Sequence, residues 1–258
     1  MTRRLYLIAS LSAAALLGGC VTSSNSPFQS DKVSMKQAAQ DNVALAIQYM
    51  KAGNRNAAME KIQKAISEDP DSANAYTAEA LIYNIDGEPD KARDAYKTAM
   101  RKAPDDPEIK NNYAIFLCQH GKPKESIDYF MTAANDPHYS TPDGAYSNAG
   151  LCATLIPDMV LAEQYFRKAL VMNSNMPEPL FQLAEISYNQ KKYLSARAFI
   201  ERFDALVPNS RPDVLLLGVD NERALGNQQG AADYAKRLLK LYPTSPQAQQ
   251  LNQAVPRG

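Results

Sequence analysis

The sequence predicts an all-α fold, a right-handed superhelix of six helix pairs stacked in line. Three observations carry this expectation. Small residues, aromatic residues and glycines recur about every 34 residues, and a proline closes most of the resulting units. No stretch alternates polar and apolar residues for long enough to form a useful strand. With 45% of its 258 residues hydrophobic, the chain has enough apolar surface for a sizeable core.

The units follow in order. The first, 39–71, carries Leu45, Ala46, Tyr49, Gly53, Ala58, Ile62, Ala65 and Pro70. In the second, 73–105, Ala80, Tyr83, Gly87, Ala92, Tyr96, Ala99 and Pro104 each stand 34 residues further on. The third, 107–140, has Tyr113, Ala114, Leu117, Gly121, Ser126, Phe130 and Ala133, with Pro137 one place early. The fourth, 143–175, has Ala149, Gly150, Ala162, Phe166 and Ala169, shifted by 36 because the loop from Asn135 to Pro142 is longer. Leu183, Ala184, Tyr188, Ala196, Ile200 and Pro208 mark the fifth, 177–210. The sixth, 212–244, is weaker, with Val219, Gly226, Ala231, Leu238 and Pro243. Residues 246–258 read as a terminal cap helix or tail.

Each residue type has a physical reason. Small side chains let two antiparallel helices approach closely, and Tyr, Phe and Ile fill the space between pairs. Glycine permits the left-handed backbone of a tight turn. Proline cannot donate to a continuing helix, so it ends one. A single pair cannot bury its apolar face, whereas stacked pairs share one core. The pattern resembles the tetratricopeptide repeat over residues 39–245.

Residues 1–19 stand apart. Arg3 and Arg4 precede an apolar run from Leu5 to Leu17, which reads as a secretory signal too short to be a comfortable membrane span. Leu17-Gly18-Gly19-Cys20 resembles the lipobox of bacterial lipoproteins, in which cleavage before the cysteine makes it the acylated first residue. Residues 20–38 are then expected to be a lipid-anchored tether. Several acyl chains hold a protein stably on a membrane where one does not. Val21 follows Cys20, where Asp would resemble an inner-membrane retention signal. The expectation is therefore an outer-membrane, periplasm-facing protein.

Charge and titratable residues narrow the function classes. The 28 basic and 28 acidic residues balance, which leaves no cationic excess for nucleic acid. His120 and His138 sit beside a turn glycine and in a loop. No pair of metal ligands shares a helix face, and neither a phosphate loop nor a nucleophile elbow is present. No cofactor, no metal and no enzymatic activity are expected. With Cys20 acylated, Cys118 and Cys152 remain, one repeat apart in neighbouring units. In an oxidising periplasm that separation suggests a disulfide, the other reading being two separate buried thiols.

The third and fourth units carry more than the generic repeat. They read Asn111-Asn112-Tyr113-Ala114-Ile115-Phe116-Leu117-Cys118-Gln119-His120-Gly121, then Asn135-Asp136-Pro137-His138-Tyr139, then Asn148-Ala149-Gly150-Leu151-Cys152. This is similar to the type IV pilus biogenesis and stability lipoproteins, the PilF/PilW family. Ala114 departs from the Gly expected in many relatives, a change between two small residues. The resemblance implies a pilotin-like scaffold that brings the type IV pilus secretin to the outer membrane and helps it multimerise, and so supports twitching motility. The competing reading is a repeat lipoprotein serving as an adaptor for cell-wall enzymes or outer-membrane protein assembly. Genomic neighbours discriminate, isoprenoid-synthesis or radical-SAM genes favouring the pilus and cell-wall hydrolases the adaptor.

A partner is expected in the groove lined by the first helix of each unit. Its inward positions are Val43, Ile47 and Met50 in the first unit, Leu81 and Ile85 in the second and Ile115 in the third. Leu151 and Leu155 follow in the fourth unit, then the polar Glu185, Asn189, Asp220 and Arg223. The groove thus reads as apolar at its N-terminal end and charged at the other, suited to an apolar segment of a secretin subunit.

Overall fold

The computed structural model describes residues 27–253, which form thirteen α-helices and no strand. Cys20 and the whole leader lie outside the described residues. Six antiparallel hairpins follow one another. They are α1 (Pro27–Lys51) with α2 (Arg55–Glu68), α3 (Ala73–Ile85) with α4 (Pro89–Lys102), and α5 (Pro107–Gln119) with α6 (Pro123–Ala134). Then come α7 (Pro142–Ala153) with α8 (Met159–Met172), α9 (Pro177–Asn189) with α10 (Tyr193–Leu206), and α11 (Pro212–Ala224) with α12 (Gln228–Leu241). Each hairpin touches only its neighbours, so the core is a chain of linked clusters. The last helix, α13 (Pro246–Gln253), closes the stack by burying Ala248 and Leu251 against Leu215 and Val219.

The period has a packing meaning. In five units a small residue on the first helix shares a core with a large one sixteen places on. These pairs are Ala46 with Ile62, Ala80 with Tyr96, Ala114 with Phe130, Gly150 with Phe166, and Ala184 with Ile200, all buried. In the sixth unit the relation slides by one residue. Val219 is buried, and it is Gly218 that lies under the Tyr234 ring.

Turns follow local chemistry. Gly53, Gly87, Gly121 and Gly226 hold φ between 73° and 76°, and Lys191 takes that place in the fifth unit at φ 60°. Prolines enter at N1 or N2 of α4, α5, α6, α7, α9 and α11, where a missing N–H costs nothing. Pro70, Pro104, Pro208 and Pro243 directly follow the C-cap residues of α2, α4, α10 and α12. Asn54, Ser72, Asp106, Asp158 and Asn227 cap helix starts by accepting from backbone N–H groups.

One boundary differs from expectation. Helix α1 begins at Pro27, inside the segment 20–38 expected to be a tether. From Phe28 to Lys51 the chain contains neither Gly nor Pro, so nothing breaks the helix once Ala39, Val43 and Ala46 pull it into the stack.

Candidate partner-binding groove

The groove is built from one repeated face. On α5, Glu108, Asn112, Ile115 and Gln119 fall at i, i+4, i+7 and i+11, a single helical stripe. The equivalent stripes are Gly144, Asn148 and Leu151 on α7, Glu178, Gln182 and Glu185 on α9, and Asp213, Leu217 and Asp220 on α11. None of these residues is buried, whereas the faces on either side of them are packed. Stacking turns each helical position into a row that crosses the repeats.

The structure places the expected groove residues unequally. Ile47 and Ile85 are 41% and 52% exposed, so they face solvent. Met50 and Leu81 are half-buried and rest against the first and second cores. Ile115 is half-buried against the third core and lines a cleft. Val43 is a correction. It is only 8% exposed and sits in the first core with Ala39, Ile62 and Ile82, because α3 brings the small Ala75 and Ala78 against it. Leu155 is a second correction. Helix α7 ends at Ala153, so Leu155 falls on the turn to α8, 63% exposed, beside a surface depression it shares with Gly121, Pro123 and Pro157.

Cys118 and Cys152 are joined, with Cα atoms 5.9 Å apart across α5 and α7. The Ser126 hydroxyl donates to the Ala114 carbonyl at 2.8 Å and lies 3.4 Å from the Cys152 Sγ. The two cysteines line a cleft of about 240 Å³ together with Ile115, Gln119, Phe130, Asn148 and Leu151. Sequence reasoning passed over Asn148 and Gln119, because a polar residue in mid-helix reads as ordinary solvated surface. Their position one turn from Ile115 and Leu151 was the available signal.

Beyond the cleft the groove turns acidic. Burial pushes the carboxyl of Glu185 above its usual range, and the nearby Asp213 and Glu178 push it further against the pull of Arg211. Burial likewise raises Asp220, opposed by Arg223. Arg211 pairs with Glu178 at 3.0 Å and Asp213 at 3.3 Å, while Glu185 has no ion pair.

A stacked series of hairpins with a continuous groove defines a tetratricopeptide-repeat protein. Tetratricopeptide repeat models match residues 43–107, 86–140 and 214–245. The chain belongs to the PilF/PilW family of type IV pilus biogenesis proteins. It is 30% identical over 251 residues to the type IV pilus assembly protein PilF of Pseudomonas aeruginosa, covering 97% of this chain and 98% of that protein. The crystal structure of PilW, described as a widely conserved type IV pilus biogenesis factor, superposes with a TM-score of 0.75 at 32% identity. That match covers 84% of this chain and 99% of PilW. The solved Pseudomonas aeruginosa PilF gives a TM-score of 0.77 at 27% identity over 85% of this chain and 99% of its own.

Proposed function

We propose that this chain is an outer-membrane lipoprotein, acylated at Cys20, whose groove holds a segment of the type IV pilus secretin subunit during its localisation and multimerisation. It acts as a binding scaffold rather than an enzyme. The observation that carries the reading is the near end-to-end match to PilF, together with an N-terminal groove that leaves Ile47 and Ile85 open to solvent. Exposed aliphatic side chains on this face suit an apolar peptide segment, each contributing about 1–3 kcal/mol when covered. The acyl chains keep the scaffold at the membrane where the pore assembles. Among the described residues no helix is long and apolar enough to cross a membrane, which leaves the anchoring to Cys20 in this reading.

The test is secretin assembly itself. Changing the solvent-facing Ile47 and Ile85 together to Asp is expected to abolish heat-stable secretin multimers and twitching while helical content and melting stay normal. A folded double variant that still supports both would move the partner off this groove.

A further inference from the structure

The centre of the groove differs chemically from its N-terminal end. Asn112, Asn148 and Gln182 occupy the same place on α5, α7 and α9, so three side-chain amides form a row across three repeats. Asn112 and Asn148 make no side-chain hydrogen bond, and Gln182 donates only to Glu178 at 2.9 Å. Asn111 adds an independent sign. Only 8% exposed, it lies one turn before Ile115 on α5, and its Oδ1 is buried without a donor. Buried acceptors are ordinarily satisfied, so an open one on α5, next in sequence to Asn112, marks a place where a donor is wanted.

A row of amides with an apolar cleft on one side and an unpaired carboxylate on the other is selective. Side-chain amides offer both donors and an acceptor, the complement of peptide N–H and C=O groups. The cleft between Ile115 and Leu151, about 240 Å³, has room for one aliphatic side chain. Glu185 stands in the same row as those two residues, one repeat further on, crowded by Glu178 and Asp213 and paired with no cation. Helices 8–10 Å apart and an extended rise of about 3.3 Å per residue put Glu185 roughly three to four residues beyond the cleft.

We infer that the groove over α5, α7 and α9 binds an extended segment of a partner protein. The segment's backbone lies on Asn112, Asn148 and Gln182, its aliphatic side chain fills the cleft between Ile115 and Leu151, and a Lys or Arg roughly three to four residues away meets Glu185. The inference rests on the groove being the partner face, as proposed above, but not on the partner being a secretin. It also makes the groove bipartite, with an apolar seat in the first two units and a sequence-selective one in the third to fifth.

The test uses the purified full chain in detergent and fluorescein-labelled peptides, read by fluorescence anisotropy. The probes have a Ser–Thr background with one Leu and two Lys at the third and fourth positions from it, in either chain order. At least one order is expected to bind about tenfold tighter than a peptide with Leu and Lys replaced by Ser. Asn148→Leu and Glu185→Lys are each expected to weaken it about tenfold, and Glu in place of the peptide Lys is expected to restore binding to Glu185→Lys. Circular dichroism and urea unfolding check that each variant is folded, with Glu185→Gln as the isosteric second variant. No preference for the Leu–Lys peptides in either order overturns the inference, as does binding indifferent to both variants or a charge swap without rescue. Because no secretin is present, this result is separate from the secretin-multimer experiment.

Discussion

A Cβ built on Gly150 would lie 2.6 Å from Cε1 of Phe166, a ring that is fully buried in the third core. Phe166 therefore occupies the space a methyl group needs. Gly150→Ala is expected to lose about 1–3 kcal/mol to overpacking, partly offset by roughly 1 kcal/mol of helix propensity. Urea unfolding measures the net loss, and Phe166→Leu in the same chain is expected to return part of it. Gly121→Ala makes the contrast, because at φ 74° with nothing nearby its cost of about 1–2 kcal/mol comes from the backbone alone. Phe166→Leu should not help that variant.

Glu222 contributes to the acid limb of stability. The Arg197 guanidinium donates to both its oxygens, at 2.7 Å from Nε, and Asn227 adds a further donor, so its carboxyl is held below the usual range despite burial. A depressed carboxyl pKa contributes stability above its unfolded value and loses it as pH falls through the folded one. Glu222→Gln should weaken the protein at pH 7 and flatten the decline on acidification. Urea midpoints from neutral pH down through the carboxylate range test this, and an unchanged acid limb in the variant refutes the assignment.

Glu185 runs the other way. Its raised pKa means that the folded chain disfavours its charge, a penalty fully present above the folded pKa and relieved as pH falls below it. Glu185→Gln is expected to raise the urea midpoint at pH 7 and to change little in acid. A lower midpoint at neutral pH would show instead that the charge is structurally satisfied.

Cys118 and Cys152 tie the third unit to the fourth across 34 residues of chain. Closing a loop of that size stabilises by about 3–4 kcal/mol in the chain-entropy model. Non-reducing mass spectrometry of a tryptic digest is expected to recover the linked peptides, and Cys118→Ser to lower stability by that order. Alkylation of both cysteines in native, unreduced protein would count against the link.

Acylation is read by fractionation. Cys20→Ala is expected to leave the protein soluble in the periplasm or retained uncleaved. Unchanged outer-membrane residence of this variant removes the lipoprotein reading.

What the sequence disclosed was what repeats. Gly53, Gly87, Gly121 and Gly226 were legible because a left-handed turn leaves few alternatives, and so were the small–large pairs such as Ala80 with Tyr96. Val43 was misjudged because an aliphatic residue on a first helix can face the groove or the next hairpin, and only the Ala75 and Ala78 opposite decide which. Leu155 slipped because α7 ends early and the five-residue turn 154–158 replaces the glycine turn of other units. The start of α1 was hidden because polar residues such as Lys36 and Gln37 suit a tether as well as an exposed helix face. Asn111 gave no signal of its own and Asn148 only its place one turn before Leu151, since their meaning comes from neighbours a whole repeat away.

Contacts that run only between adjacent hairpins also govern how the protein bears tension. A pull entering through the N-terminus reaches α1 first, and among the described residues α1 is held by α2 and α3 alone. The first two hairpins can therefore peel away one at a time, paying out chain as they go. At Cys118 the load crosses the disulfide directly to Cys152. Residues 119–151, with Asn148 of the amide row among them, sit inside the closed loop and bear none of that pull.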